Sequence, residues 1–361
     1  MPKTVCRECV SSQSVIPCMR ARRDCIAITH TYITNKVIRN VMTRYQFTEN
    51  GVMGMDKNTI AIGIDHGWAN MKTVHTIFTS GVKEITTEPA LFSNVLEYKG
   101  KYFKIGGNRL EVKKNKVSDD NYYLLTLAAV AKELKQRGQK KAHVLLAVGL
   151  PLTRFGDEKK DFISYLSRDR EVVFKFEKVQ YRIVIERVSV YPQCYGAVAD
   201  MINSFPMKQL VVDVGSWTVD IMPIINHELD EPSCVTQPHG IITCIRQINK
   251  ECIRQLNEEV DESIIQQIIM EGDANIPQKY KEIIRQELAG YTQKIYHSIR
   301  ELGYNMNLTP IIFVGGGAGV MKRFGGLEQG NMEYIEDVCA NAKGYESLGS
   351  SFVAYATRRR A

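Results

Sequence analysis

Two distant segments of the chain carry the same local text. Ile64-Asp65-His66-Gly67 closes one run of β-branched residues, and Val212-Asp213-Val214-Gly215 closes another. In each case an apolar run (residues 59–65 and 210–213) reads as a buried strand ending in a carboxylate. A glycine turn follows, and a second run (71–77 and 218–222) reads as the returning strand. Glycine allows the sharp turn and lets backbone N–H groups approach an anion. A chain that builds this unit twice needs two places to bury the strands, so two comparable halves are expected.

A third feature comes later in the chain. Residues 310–314 read as a buried strand running into Gly315-Gly316-Gly317 and then a helix. Between these landmarks helical and strand patterns alternate. Helices are expected at 121–137, 159–166, 194–204, 240–256, 262–270, 278–302, 331–342 and 347–357. Strands are expected at 143–148, 172–176 and 181–190, with further strands in 90–110 and a hairpin turn at 98–102. Helices alternating with strands mean an α/β architecture. No G-x-x-x-x-G-K-[ST] loop occurs, and the glycine triplet does not open a Rossmann unit.

Charge placement narrows the partners. The 361 residues carry a formal net charge of +7. Residues 1–54 hold eight basic against three acidic residues, and Arg358, Arg359 and Arg360 lie at the end of the chain. The remainder is close to neutral, so direct nucleic-acid contact is not expected. No run of eighteen apolar residues and no basic-then-apolar leader occur, so no membrane contact is expected and the protein is read as cytoplasmic. Nine cysteines without a leader read as free thiols. Cys6, Cys9, Cys18 and Cys25 lack the tight second pair of a zinc site. Residues 1–54 read as an appendage, either an over-extended start or a tether.

The order and spacing of the three features resemble the actin-like ATPase superfamily. Gly149-Leu150-Pro151 and Tyr191-Pro192-Gln193 look closest to bacterial plasmid-segregation filament proteins of the ParM (StbA) type. The resemblance covers about residues 59–357. It implies an actin-like (ribonuclease H-like) α/β fold, with two similar domains around a nucleotide cleft. Domain I would be 55–195 plus 345–361, and domain II 196–344.

The resemblance also implies roles. Asp65 and Asp213 would flank Mg²⁺ through its waters. Gly67, Trp68, Asn70 and Lys72 would line one phosphate loop, and Gly215, Ser216, Trp217 and Thr218 the other. Gln193 would orient the attacking water, because Gln cannot serve as a base near pH 7. Gly315, Gly316 and Gly317 would meet the adenosine, and Gly240 the ribose. Relatives usually place small residues where Trp68 and Trp217 stand, so these indoles are expected to pack as cleft walls. The implied cofactors are ATP, with GTP as the alternative, and Mg²⁺. The implied activity is nucleotide hydrolysis coupled to head-to-tail self-assembly, with plasmid DNA reached through a DNA-binding adaptor. A monomeric sugar or metabolite kinase and a non-hydrolysing nucleotide-binding scaffold are the alternatives.

Overall fold

The computed structural model describes residues 55–113, 115–327 and 330–358. The expected appendage, its four cysteines, and Arg359 and Arg360 lie outside the described residues. Both sheets of the described residues belong to the compact unit Asp56–Val353.

The first half opens with β1 (Ile60–His66), β2 (Asn70–Thr73), β3 (Ile77–Thr79), β4 (Val82–Ile85), β5 (Val95–Tyr98) and β6 (Lys101–Ile105). Helix α1 (Asn121–Gln136), β7 (Lys141–Leu150), α2 (Phe155–Leu166), β8 (Glu171–Phe176), β9 (Val179–Pro192) and the single turn α3 (Tyr195–Val198) come next. The nine strands form one sheet in the order β3-β2-β1-β7-β9-β8-β5-β6-β4. β7 runs parallel to both β1 and β9, and the hairpins lie outside that parallel core. β1 and the C-terminal part of β7 are buried on both faces, whereas the first half of β9 alternates buried and exposed residues. Leu125, Ala128, Ala129 and Leu134 of α1 pack into the same core as Ile62, Ile64, Val144 and Leu146.

The second half contains β10 (Lys208–Val214), β11 (Val219–Ile225), β12 (Glu228–Leu229) and β13 (Val235–Gln237). Three helices come after them: α4 (Ile241–Leu256), α5 (Glu262–Glu271) and α6 (Gln278–Glu301). β14 (Ile311–Val314), α7 (Ala318–Phe324), β15 (Met332–Ile335) and α8 (Ala340–Arg358) complete the described chain. The second sheet runs β12-β11-β10-β14-β15, with β13 also paired to β11. Ile284, Leu288 and Ile295 of α6 fill the core beneath Leu210, Val212 and Phe313.

Three local expectations change. The returning strand expected at 71–77 breaks into β2 and β3. Thr73 N–H bonds Thr76 O at 2.8 Å, and the buried Glu133 carboxylate takes the Thr73 hydroxyl at 2.5 Å and the His75 N–H at 3.0 Å. The turn is thus pinned by a helix side chain. The helix expected at 194–204 is only α3 and a separate 3₁₀ turn, Ile202–Ser204. The helix expected at 331–342 begins only at Ala340. Residues Met332–Ile335 instead pair in parallel with β14, from Ile311↔Met332 to Val314↔Ile335. An open sheet edge overrides a weak local preference.

Candidate functional site

The first hairpin sets Asp65 opposite Lys72, because their strands pair in that register. Directly opposed residues share a face, and Lys72 Nζ lies 3.1 Å from Asp65 Oδ2. Burial alone would raise the Asp65 pKa, but Lys72 and then Lys116 outweigh it and hold the carboxyl below its ordinary range. Burial likewise opposes the Lys72 charge, yet Asp65 and then Asp213 lift its pKa above the usual lysine value. Gln193 donates from Nε2 to the other oxygen, Asp65 Oδ1, at 3.1 Å. The end of β9 delivers this amide, and the Gln193 N–H is tied to Leu150 O at 2.8 Å. Cys194 then takes φ +68°, a left-handed conformation that turns the chain into α3.

Gly67 cannot carry a side chain here. A Cβ would stand 2.5 Å from Asn70 O, so the first residue of β2 sets the turn. Trp68 packs against the first core and meets the Tyr122 ring edge-on at 5.7 Å. His66 points away from the turn, with Nε2 2.8 Å from Thr126 Oγ1. Burial and then Lys116 push it down to about 3, so the ring is neutral.

The second hairpin opposes Asp213 not to a lysine but to Asp220. Asp220 is held by two hydroxyls, Thr218 at 3.0 Å and Thr236. Asp213 receives Asn341 Nδ2 on Oδ2 at 2.8 Å. Burial and then Asp220 push Asp213 up to about 7, against the pull of Lys72 and Asn341. The loop's carbonyls are committed to α4. Gly240 N–H bonds Trp217 O at 3.1 Å, Ile241 N–H bonds Gly215 O at 3.1 Å, and Ile242 N–H bonds Ser216 O at 3.0 Å. In a trans peptide the N–H points opposite to the C=O. The Ser216 and Trp217 N–H groups therefore face away from α4, as an anion-binding turn requires. A Cβ on Gly240 would lie 2.4 Å from Trp217 N, so packing on this loop accounts for that glycine. The Thr218 hydroxyl is occupied by Asp220. The Trp217 indole lies beneath the Arg246 guanidinium, 5.1 Å from the ring centre, and its Nε1 is buried without a partner among the described residues.

The glycine turn closes on the same carboxylate. β10 and β14 run parallel with Asp213 beside Val314. Gly315 has φ +82°, and a Cβ there would fall 2.3 Å from Asp213 Oδ1. The Gly317 N–H bonds Val214 O at 2.9 Å, and its Cβ would strike Val214 Cγ1 at 2.3 Å. Gly316 has room, with Val338 Cγ1 at 3.7 Å the nearest atom to a Cβ.

Asp65, Lys72 and Gln193 thus form one hydrogen-bonded cluster, and the Asp213 charge acts on its lysine. Three further members carry weak or no sequence signals. Asp220 is an acid inside an otherwise buried strand, which is a usable sign. Asn341, which also accepts the Ala197 N–H at 3.1 Å, lies 128 positions from Asp213 and has no local mark. Lys116 sits in a lysine-rich stretch that reads as solvated surface. Among the described residues no cluster of three or more His, Cys, Asp or Glu is placed to hold a metal. Two carboxylates without a full protein cage suit Mg²⁺, which keeps waters and shares phosphate oxygens. Among the described residues no helix is long and apolar enough to cross a membrane.

The family model for the N-terminal domain of actin-like proteins matches residues 63–196. The model for the C-terminal domain of the archaeal MreB-like actin homologue matches residues 211–324. The archaeal actin homologue Ta0583, in complex with ADP, superposes with a TM-score of 0.64 at 21% identity, covering 80% of this chain and 99% of its own. Apo pSK41 ParM gives 0.64 at 16% identity over 83% of this chain and 99% of its own. Bacillus thuringiensis ParM with ATP gives 0.60 at 14% identity over 84% of this chain and 99% of its own. At these identities the likeness is one of fold, and the two-sheet architecture is the actin-like fold. No curated protein matches the sequence.

Proposed function

Because this chain belongs to the actin-like ATPase superfamily, we propose that it binds Mg²⁺–ATP between its two hairpin loops, hydrolyses it, and assembles head to tail into filaments. Heterologous contacts that do not close give helical polymers. The observation that carries the reading is the convergence of Asp65 and Asp213, one from each hairpin, around Lys72. Domain I is taken as 55–195 with 345–361, and domain II as 196–344.

Bound Mg²⁺ would supply charge neutralisation at the phosphates. Asp65 and Asp213 are the hard oxygen donors suited to hold its waters. Lys72 places a positive charge beside the loops, and the Ser216 and Trp217 N–H groups offer backbone donors to an anion. Gln193 carries no basic nitrogen at neutral pH, so it positions water and does not take its proton. Gly316 is the open position of the glycine turn, suited to close approach by a nucleoside. GTP is the alternative nucleotide.

We place the filament in the cytoplasm, where it positions plasmid DNA through a DNA-binding adaptor. The near-neutral body supports indirect contact with DNA. Sedimentation and light scattering with Mg²⁺–ATP, read beside phosphate release, test the proposal. Nucleotide-dependent pelleting supports it, and turnover without assembly removes the filament.

One observation favours a second reading. A carboxyl pushed up to about 7, as Asp213 is, suits a general base acting on an acceptor hydroxyl, as a sugar or metabolite kinase needs. Robust sugar phosphorylation without assembly would establish that reading.

A further inference from the structure

Lys116 belongs to the segment between β6 and α1 and turns inward. Lys113, three residues earlier, is exposed and paired with Asp119. Lys116 is 5% exposed. Its Nζ lies 5.4 Å from the Trp68 ring and 5.7 Å from the Tyr122 ring. None of the described residues gives it a hydrogen bond or an ion pair within 4 Å. Its strongest attraction is to Asp65, ahead of Glu158. Its charge is also felt by Asp220 on the second hairpin.

An ammonium buried without a paired anion is a cost to the empty protein. Burial pushes Lys116 down to about 8, in contrast to Lys72, which is raised. Two aromatic faces offset part of that cost. An incoming anion would offset more of it. The two lysines also differ in neighbours. Lys72 is drawn to Asp65 and Asp213, and Asp213 touches the glycine turn. Lys116 senses Asp65 and Asp220, with Asp213 absent from its main partners. Lys116 also lies against Trp68, the residue after Gly67 in the first loop, a place suited to the phosphate end of a nucleotide whose nucleoside lies at the glycine turn.

We propose that Lys116 is a phosphate-contacting cation that distinguishes a nucleoside triphosphate from the diphosphate. The inference rests on the nucleotide-binding reading above. Trp68 and Tyr122 flank the ammonium, which limits the rotamer entropy left to be lost on contact.

Calorimetric titration of the full chain with a non-hydrolysable ATP analogue and with ADP, both with Mg²⁺, tests this. K116M should weaken the ATP analogue by roughly tenfold or more, the scale of one charge-assisted contact, and change ADP by less than about twofold. K116R, which keeps the charge, should retain most of the triphosphate preference. Equal losses for both nucleotides would assign Lys116 a packing role only, and no loss for either would remove it from the site; each result overturns the proposal. If K116M does not fold, K116Q carries the same comparison. Wild-type protein that binds neither nucleotide would overturn the nucleotide reading itself, a result distinct from a variant that loses no discrimination.

Discussion

The two hairpins share a pattern and differ in charge. In the first, Asp65 faces Lys72, accepts from Gln193, and stays ionised below its ordinary range. In the second, Asp213 faces another acid, accepts from Asn341, feels the Lys72 charge, and is still pushed up to about 7 by burial and then Asp220. The same strand–Asp–x–Gly text therefore yields one carboxylate held below its ordinary range and one pushed toward neutrality. The residue opposite on the returning strand decides which. A cation arriving between the loops has most to offer the second hairpin, where negative charge is crowded and undercompensated.

The largest effect should come from removing the second carboxylate. D213A is expected to cut phosphate release on the order of 100-fold or more, because the proposed donor to the hydrated metal is removed. Near-normal turnover in that variant would remove Asp213 from the site.

Breaking the first hairpin should appear in stability. K72M leaves Asp65 buried beside a missing partner, and loss of one member of a buried pair costs about 3–5 kcal/mol. Urea denaturation at pH 7 reads this directly. The penalty should shrink as pH falls and Asp65 protonates.

The second hairpin predicts the opposite sign. Asp213 has a folded pKa above its unfolded value, so the folded state binds the extra proton between about pH 4 and 7. Stability of the metal-free protein should fall as pH rises through that window, by an amount on the order of a few kcal/mol. D213N should remove this slope, and melting curves in EDTA at pH 5.5 and 8 measure it. A smaller effect is expected at the glycine turn. G315A places a methyl against Asp213 Oδ1 at a left-handed φ and should cost about 1–3 kcal/mol, a loss that urea denaturation beside the wild type measures.

Why one hairpin could be read more fully than the other depends on where their partners lie. Asp65, Gly67 and Lys72 fall within eight positions, so alternation and the turn residue expose them together. Asp213 and Gly215 are visible in the same way. What tunes Asp213 is not, because Asn341 reaches it from α8 and Gly315 from the end of β14, far along the chain. Lys116 was hidden for a different reason. Only tertiary burial separates it from the exposed Lys113. β15 was illegible because a four-residue run is too short to show a period, and it forms a strand along the edge that β14 offers. The two tryptophans were visible as departures, and the structure separates them: Trp68 packs on Tyr122, whereas Trp217 lies under Arg246 with its indole N–H unpaired among the described residues.

On the proposed reading, a nucleotide bound between the two hairpins drives assembly. Electron microscopy of the full chain, with and without Mg²⁺–ATP, tests it most directly. Filaments are expected with nucleotide and dispersed particles without it. Dispersed particles in both, under conditions where calorimetry shows the nucleotide bound, would contradict it.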